Sequence, residues 1–419
     1  MQTGTRVGDL NPHRTKPVFN RMKMELLAPA GDLEKLKIAI LYGADAVYIA
    51  GRQFGLRSAA DNFSDFEFGE AIRFAHQKRR KVYIALNAFL HERELQELPY
   101  FIETLDSLGP DGVICSDLGV VKTVQRHSNI PIHLSTQASV LNSPHARIWQ
   151  QEGVKRIVAG REISLEEAAE IKRQTGIEIE LFLHGSMCMS YSGHCNLSNY
   201  TAGRDSNRGG CIQNCRFAYR LFPANRAPQR AFFISSGDLC GIELLERFAE
   251  LEINAVKIEG RMKSGLYIAT TVRVYRRALD DILLGKRPDY RYCIEELKKI
   301  PHRNYTVGAL ETSAAGRSAH SGRDRASCRY EMAGTVLEVD PVGCRFAFWA
   351  KSRLIEGDTL EILPFREEPI GIVLTRMVNI EGKAVKVAQP NSIVWLEWRK
   401  GIEAHTVARI AKHRPCTTH

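Results

Sequence analysis

The sequence predicts an α/β fold: a (β/α)8 TIM-like barrel with a Cys-rich insertion between its seventh and eighth strands, then a small C-terminal antiparallel β-barrel domain. Three observations carry this expectation. Between residues 24 and 285, short apolar runs alternate eight times with longer amphipathic stretches, the pattern of repeated β–α units. Four cysteines crowd into one polar, glycine-rich segment late in that array. Past residue 330 the pattern changes to short alternating runs between turn residues, as in a small antiparallel barrel.

Taken in order, residues 1–23 are basic and unpatterned and read as a disordered extension. The eight apolar runs follow at residues 25–28, 46–50, 81–87, 112–115, 132–135, 156–159, 177–183 and 255–258. Helical stretches lie between them, such as 32–42 and 164–174, the latter opening with the capping box Ser164-Leu165-Glu166-Glu167. Their number and span match the usual size of a (β/α)8 barrel; an open doubly wound sheet is the alternative, because spacing does not prove closure. Residues 24–285 therefore form the expected catalytic barrel, with the insertion at 184–235. A helical or flexible linker at 286–330, a β-domain at 331–411 and a tail at 412–419 complete the expected organisation.

The chain has 419 residues, 44% of them apolar, which is enough for a large core and more than one domain. No apolar run approaches the roughly 18 residues that cross a bilayer, so a cytoplasmic protein without membrane contact is expected. A formal charge of +10 favours a polyanionic partner. Ten cysteines in a chain this long are unlike a disulfide-stapled domain, and their clustering points to metal or catalysis.

In a β/α barrel the chemistry sits in the loops after the strands. There the sequence places Asn87, Gln137, Arg161, Glu162, His184 and Arg261, with Arg57 in an earlier loop. The cysteines are spaced Cys188-x6-Cys195-x15-Cys211-x3-Cys215. Soft thiolates at such separations converge on an iron–sulfur cluster or on zinc. The C-x2-C knuckles of structural zinc sites are missing, which favours the cluster, while zinc and unliganded thiols stay open. A radical-type C-x3-C-x2-C motif fails because Ala218 stands where its third cysteine belongs. Cys240 could replace one ligand, although its helix-like context reads as packed core.

The insertion also carries Arg204, Arg208, Arg216, Arg220, Arg226 and Arg230, interleaved with Tyr200, Phe217, Tyr219 and Phe222. Guanidinium groups pair with phosphates and aromatic rings stack on bases, so an RNA-contacting face is expected beside the metal; a solvated loop is the plain alternative. His184, with Tyr191 and His194 beyond it, is a candidate for the site or a core histidine. Glu162 is a candidate for catalysis or a rim ion pair.

The stretches at 25–51, LFLHGSMCMSYSGHCNLSNY, GGCIQNCRF and VKIEGRMKS resemble the collagenase-like peptidase family U-32, and within it the branch that hydroxylates tRNA. The resemblance implies an iron–sulfur cluster, of [4Fe-4S] type, on Cys188, Cys195, Cys211 and Cys215. It further implies oxygen-independent formation of 5-hydroxyuridine at the tRNA wobble position, with prephenate, a small dicarboxylate, as hydroxyl source. Other branches act on ribosomal RNA or a ubiquinone precursor. The rivals are a peptidase with a Cys188 nucleophile paired to His184, and a non-catalytic RNA-binding protein with a structural metal. On the favoured reading His184, Tyr191 and Glu162 are catalytic, Arg57, Asn87, Gln137, Arg161 and Arg261 bind substrate, and Arg204, Arg208, Arg216 and Arg220 bind RNA.

Overall fold

The computed structural model describes residues 24–56, 62–224, 226–312 and 328–412. The expected N-terminal extension and nearly all of the tail lie outside the described residues, as does Arg57. Strands β1 (Glu25–Pro29), β2 (Ala46–Ile49), β3 (Lys81–Leu86), β4 (Gly112–Cys115), β5 (Ile132–Leu134), β6 (Arg156–Val158) and β7 (Glu178–Ser186) pair in parallel in chain order. Within the insertion come β8 (Tyr219–Leu221) and β9 (Gln229–Ala231), followed by β10 (Asp238–Cys240) and β11 (Ala255–Ile258). Strand β11 pairs in parallel with both β7 and β1, which closes the barrel and excludes the open sheet.

Side-chain chemistry sets the helix starts. Asp32, Ser64, Asp117, Asn142, Ser164 and Ser264 each accept a backbone N–H from the first turn of the helix they precede, satisfying a donor that the helix leaves unpaired. At Ser164 the capping box expected from sequence is formed in both directions. The helices pack their apolar faces on the outside of the barrel. Helix Gly265–Leu283 is buried along most of its length because the C-terminal domain covers its other side.

The lumen is not filled with branched aliphatic layers. Below Tyr48 and Ile114 lies an ion network in which Arg156 meets Glu25 at 2.6 Å and Glu180 at 3.3 Å, while Lys257 meets Glu180 at 2.9 Å. Burial opposes ionisation of Glu25, but the charges of Arg156 and Lys81 outweigh it and hold the carboxyl at about 2.

The stretch expected as a linker contains helix Tyr290–Leu297 and strand β12 (Tyr305–Thr306), which extends the barrel sheet beside β10. Residues 313–327 lie outside the described residues. The C-terminal domain is an eight-stranded antiparallel sheet curled as a half-barrel over a core containing Phe346, Phe348, Leu360 and Ile410. It is fixed to the barrel by buried Arg409, which meets Glu296 at 3.0 Å and Glu361 at 2.6 Å, and by Val407 N–H donating to the Tyr42 hydroxyl at 2.9 Å. Among the described residues no helix is long and apolar enough to cross a membrane.

Candidate metal centre at the barrel mouth

Strand β7 runs past the rim to Ser186, and β10 pairs antiparallel with this overhang. The chain between them folds over the C-terminal end of the barrel. Two glycines allow the close approach. Gly185 has φ +111°, and a Cβ there would meet the Glu259 carbonyl oxygen at 2.3 Å. Gly193 has φ +80°, and a Cβ there would stand 2.0 Å from the Gln137 carbonyl oxygen.

Cys188, Cys195, Cys211 and Cys215 all line one hollow of about 1000 Å³, together with Tyr191, Ser192, Arg216 and Lys263. The neighbouring sulfurs of Cys188 and Cys195 perturb each other, raising the thiol of the first and lowering that of the second. The Leu197 N–H also favours the Cys195 thiolate, while the Ser190 hydroxyl donates to the Met189 sulfur at 3.0 Å. Between Cys211 and Cys215, Gln213 adopts the left-handed conformation at φ +57°, turning the chain so that both cysteines face the hollow. Among the described residues, no three His, Cys, Asp or Glu side chains gather around the point that a single ion would occupy. All four thiols nonetheless line the same hollow. Arg161, Arg216 and Lys263 form cationic walls.

A second cavity, of about 560 Å³, descends into the lumen and is lined by Tyr48, Asn87, Phe182, Lys257 and Arg261 among others. Leu56, Gln137, Arg161 and Glu259 line both spaces, so the cysteine hollow and the barrel mouth share a wall. The Arg161 guanidinium lies over the Phe182 ring at 4.0 Å, and the Tyr48 hydroxyl donates to Glu259 at 3.1 Å. Asn87 donates to the Ser135 hydroxyl at 3.4 Å, and buried Arg261 donates to Asn62 at 3.0 Å.

Four sequence expectations need correcting. His184 does not reach the site: it is 1% exposed, its Nδ1 lies 3.1 Å from the Tyr275 hydroxyl, and Tyr267, Tyr275 and Tyr305 surround its ring. The reason is a bulge. Lys257 pairs with Phe182 but Ile258 pairs with His184, so the alternation skips one residue and takes His184 out of the lumen. Glu162 lines neither cavity; its Oε1 accepts the Ser192 N–H at 3.1 Å and fixes the turn between Cys188 and Cys195. Arg208 is committed to Glu94, at 2.8 and 3.0 Å, and to the Phe89 carbonyl, so it braces the insertion against the barrel. Arg204 and Arg220 are exposed, whereas Arg216 is half-buried against Met187. Cys240 lies on β10, not on a helix, with its sulfur 3.8 Å from the Tyr275 hydroxyl and away from the hollow.

Sequence reasoning missed Lys257 and Lys263 as lining residues. The alternation Lys257, Glu259, Arg261 at the end of an apolar strand is the signal that could have found the first.

The model for peptidase family U32 matches residues 31–320, and that for the U32 C-terminal domain matches 328–409. The chain belongs to peptidase family U32. Among its relatives in this family, the tRNA hydroxylation protein P1 of Bacillus subtilis is 36% identical over 402 residues, covering 93% of this chain and 95% of the relative. The tRNA hydroxylation protein P of Escherichia coli is 32% identical, covering 91% and 95%. The 23S rRNA 5-hydroxycytidine C2501 synthase of Escherichia coli is 35% identical over 62% of this chain and 40% of that longer protein. The two tRNA proteins thus share both domains of this U32 chain along nearly their whole length.

Proposed function

We propose that this U32 protein is an iron–sulfur-dependent, oxygen-independent tRNA hydroxylase that forms 5-hydroxyuridine at the wobble position, with prephenate as hydroxyl source. The observation that carries the proposal is the shared wall. Four cysteines ring a hollow that opens beside a polar barrel mouth, in a chain similar over nearly its full length to proteins of tRNA hydroxylation.

The residues fit a sulfur-ligated cluster. A single zinc ion would draw all four sulfurs to about 2.3 Å from one point, whereas a [4Fe-4S] cluster takes each thiolate on a different iron and spreads them. Cys188, Cys195, Cys211 and Cys215 would hold it. A cluster there would supply a redox centre next to the substrate. Arg161, Arg216 and Lys263 would offset the negative charge of the thiolates.

On this reading the mouth admits a uracil ring extruded from its stack, the general solution when ring atoms must be reached. Tyr48 and Phe182 offer aromatic surface, and Asn87 and Gln137 offer amide groups able to read the edges of the base. Arg161, Arg261 and Lys257 carry the positive charge that a dicarboxylate needs. Tyr191 is exposed at the edge of the cysteine hollow, placed to cover whatever enters.

A cysteine peptidase would need Cys188 beside His184, but His184 is bonded to Tyr275 and buried behind the bulge. Anaerobic purification tests the cluster: a brown protein with broad visible absorbance is expected, and a colourless zinc protein would sink that reading. Mass spectrometry of tRNA nucleosides from a deletion strain tests the activity. 5-Hydroxyuridine-derived nucleosides should disappear, and their persistence at wild-type level would exclude the function in that cell. Cys211→Ser should abolish colour and modification together.

A further inference from the structure

Strands β8 and β9 form a two-stranded ribbon that starts four residues after Cys215 and stands out from the molecule. Arg220, Leu221, Gln229 and Arg230 are all exposed, so both faces of the ribbon meet solvent. A ribbon of two strands is marginal in water without a third strand or a helix to pack on. This one carries an added cost, because Arg220 and Arg230 stand directly opposite each other. Like charges at opposed positions of an antiparallel pair destabilise it.

The surroundings do not relieve that charge. Arg204 and Arg226 are exposed nearby in sequence, and among the described residues no carboxylate forms an ion pair with any of these four arginines. The one acid of the segment, Asp205, is turned onto the Asn207 N–H at 2.9 Å. Large apolar side chains are exposed on the same segment: Phe222 at 71%, Phe217 at 51% and Leu221 at 50%. Opposed arginines beside open aromatic rings match a strand of nucleic acid, whose phosphates pair with guanidinium groups and whose bases stack on aromatics. An acidic protein surface would answer the charge but not the open rings.

We propose that the β8–β9 ribbon is a clamp for the single-stranded part of the RNA substrate, with Arg220 and Arg230 gripping backbone phosphate and Phe217 and Phe222 stacking on neighbouring bases. This rests on the RNA-substrate reading given above. The clamp is tied to the site at its root: the Tyr219 hydroxyl donates to the Asn214 carbonyl at 2.7 Å, inside the Cys211–Cys215 turn. A loop held by the ribbon is therefore presented at the edge of the cysteine hollow.

The test is fluorescence anisotropy with an in vitro transcribed tRNA and with its anticodon stem-loop, over a salt series, using the full chain. R220A/R230A should weaken binding by about tenfold or more and reduce the slope of log K against log salt by roughly 1.4, about 0.7 for each single-strand phosphate that is no longer neutralised. R220K/R230K should recover most of the affinity. F222A should weaken binding while leaving the salt slope unchanged. Because R220A/R230A removes a repulsion, its melting temperature should equal or exceed that of the wild type, so weakened binding cannot be laid to unfolding. Wild-type binding by R220A/R230A would overturn the clamp and leave the hydroxylase reading standing, and that is the outcome if a protein occupies the ribbon. Failure of the wild type itself to bind tRNA would overturn both.

Discussion

The backbone N–H of Ser192 donates to Oε1 of Glu162 at 3.1 Å, and this bond ties the loop between Cys188 and Cys195 to the rim of the barrel. The Ser192 hydroxyl adds a second hydrogen bond to the same oxygen at 3.4 Å. A hydrogen bond to a charged group contributes about 1.5–3 kcal/mol. Glu162→Ala should therefore loosen the cysteine loop without unfolding the barrel. Iron per chain after gel filtration should fall, and amide exchange across residues 187–196 should quicken. Unchanged iron content together with unchanged exchange would show that Glu162 does not position the ligands.

Cys240 provides the matching control. Its sulfur faces Tyr275 at 3.8 Å, in the buried cluster that also holds His184, and burial pushes its thiol up to about 11. Cys240→Ser should leave the visible spectrum and iron content of the anaerobic protein as in the wild type, at a stability cost of about 1 kcal/mol. Loss of colour in this variant would make Cys240 a ligand and displace one of the four.

Two buried histidines make the fold sensitive to acid. Burial lowers His184 to about 3 and His133 to about 4, so both are neutral in the native chain. In the unfolded chain each takes a proton near pH 6.5. The unfolded state thus binds more protons below that pH, and the stability contributed by the neutral imidazoles is present above pH 6.5 and declines as pH falls toward 4 and 3. Urea midpoints should drop from pH 7 to pH 5. His184→Phe should flatten that drop, and it should leave the pH profile of turnover unmoved because His184 lies outside the site. A turnover profile that loses an ionisation in His184→Phe would restore the histidine to the chemistry.

Much of this was legible in the sequence, for physical reasons that differ by element. The barrel strands announce themselves because a parallel strand covered on both faces must be apolar throughout, as at Val113-Ile114-Cys115. The helix start at Ser164 is legible because capping is local chemistry. The joint facing of Cys188, Cys195, Cys211 and Cys215 followed from their crowding in a segment with no core of its own. What escaped depended on register and long-range pairing. One bulge between Lys257 and Ile258 moved His184 out of the lumen, and periodicity carries no mark of a bulge. Arg208 looked like its neighbouring arginines until Glu94, 114 residues away, claimed it. Glu25 and Arg156 open their strands while Glu180 and Lys257 sit inside theirs, and only barrel closure brings the four charges into one network.

The same dependence on distant partners governs how the two domains hold together. Arg409 of the C-terminal sheet is fully buried and meets both carboxylate oxygens of Glu296 at 3.0 Å, while Arg273 reaches Glu296 at 2.9 Å from the barrel side. Burial opposes ionisation of Glu296, but Arg409 and Lys299 outweigh it and hold the carboxyl at about 2. Breaking a buried pair from one side leaves an uncompensated charge and costs about 3–5 kcal/mol. Glu296→Gln should thus lower the unfolding free energy by that order, and it should expose the seam between helix Gly265–Leu283 and the half-barrel to proteolysis first. The folded value of Glu296 lies below its unfolded one. Its contribution is therefore present above pH 4.5 and lost as pH falls toward 2, and Glu296→Gln should remove the part of the acid destabilisation that falls in that window. Urea titrations from pH 7 to pH 2.5, run on both proteins, decide the matter: parallel curves across pH 4.5 to 2.5 would show that this carboxylate does not hold the domains together.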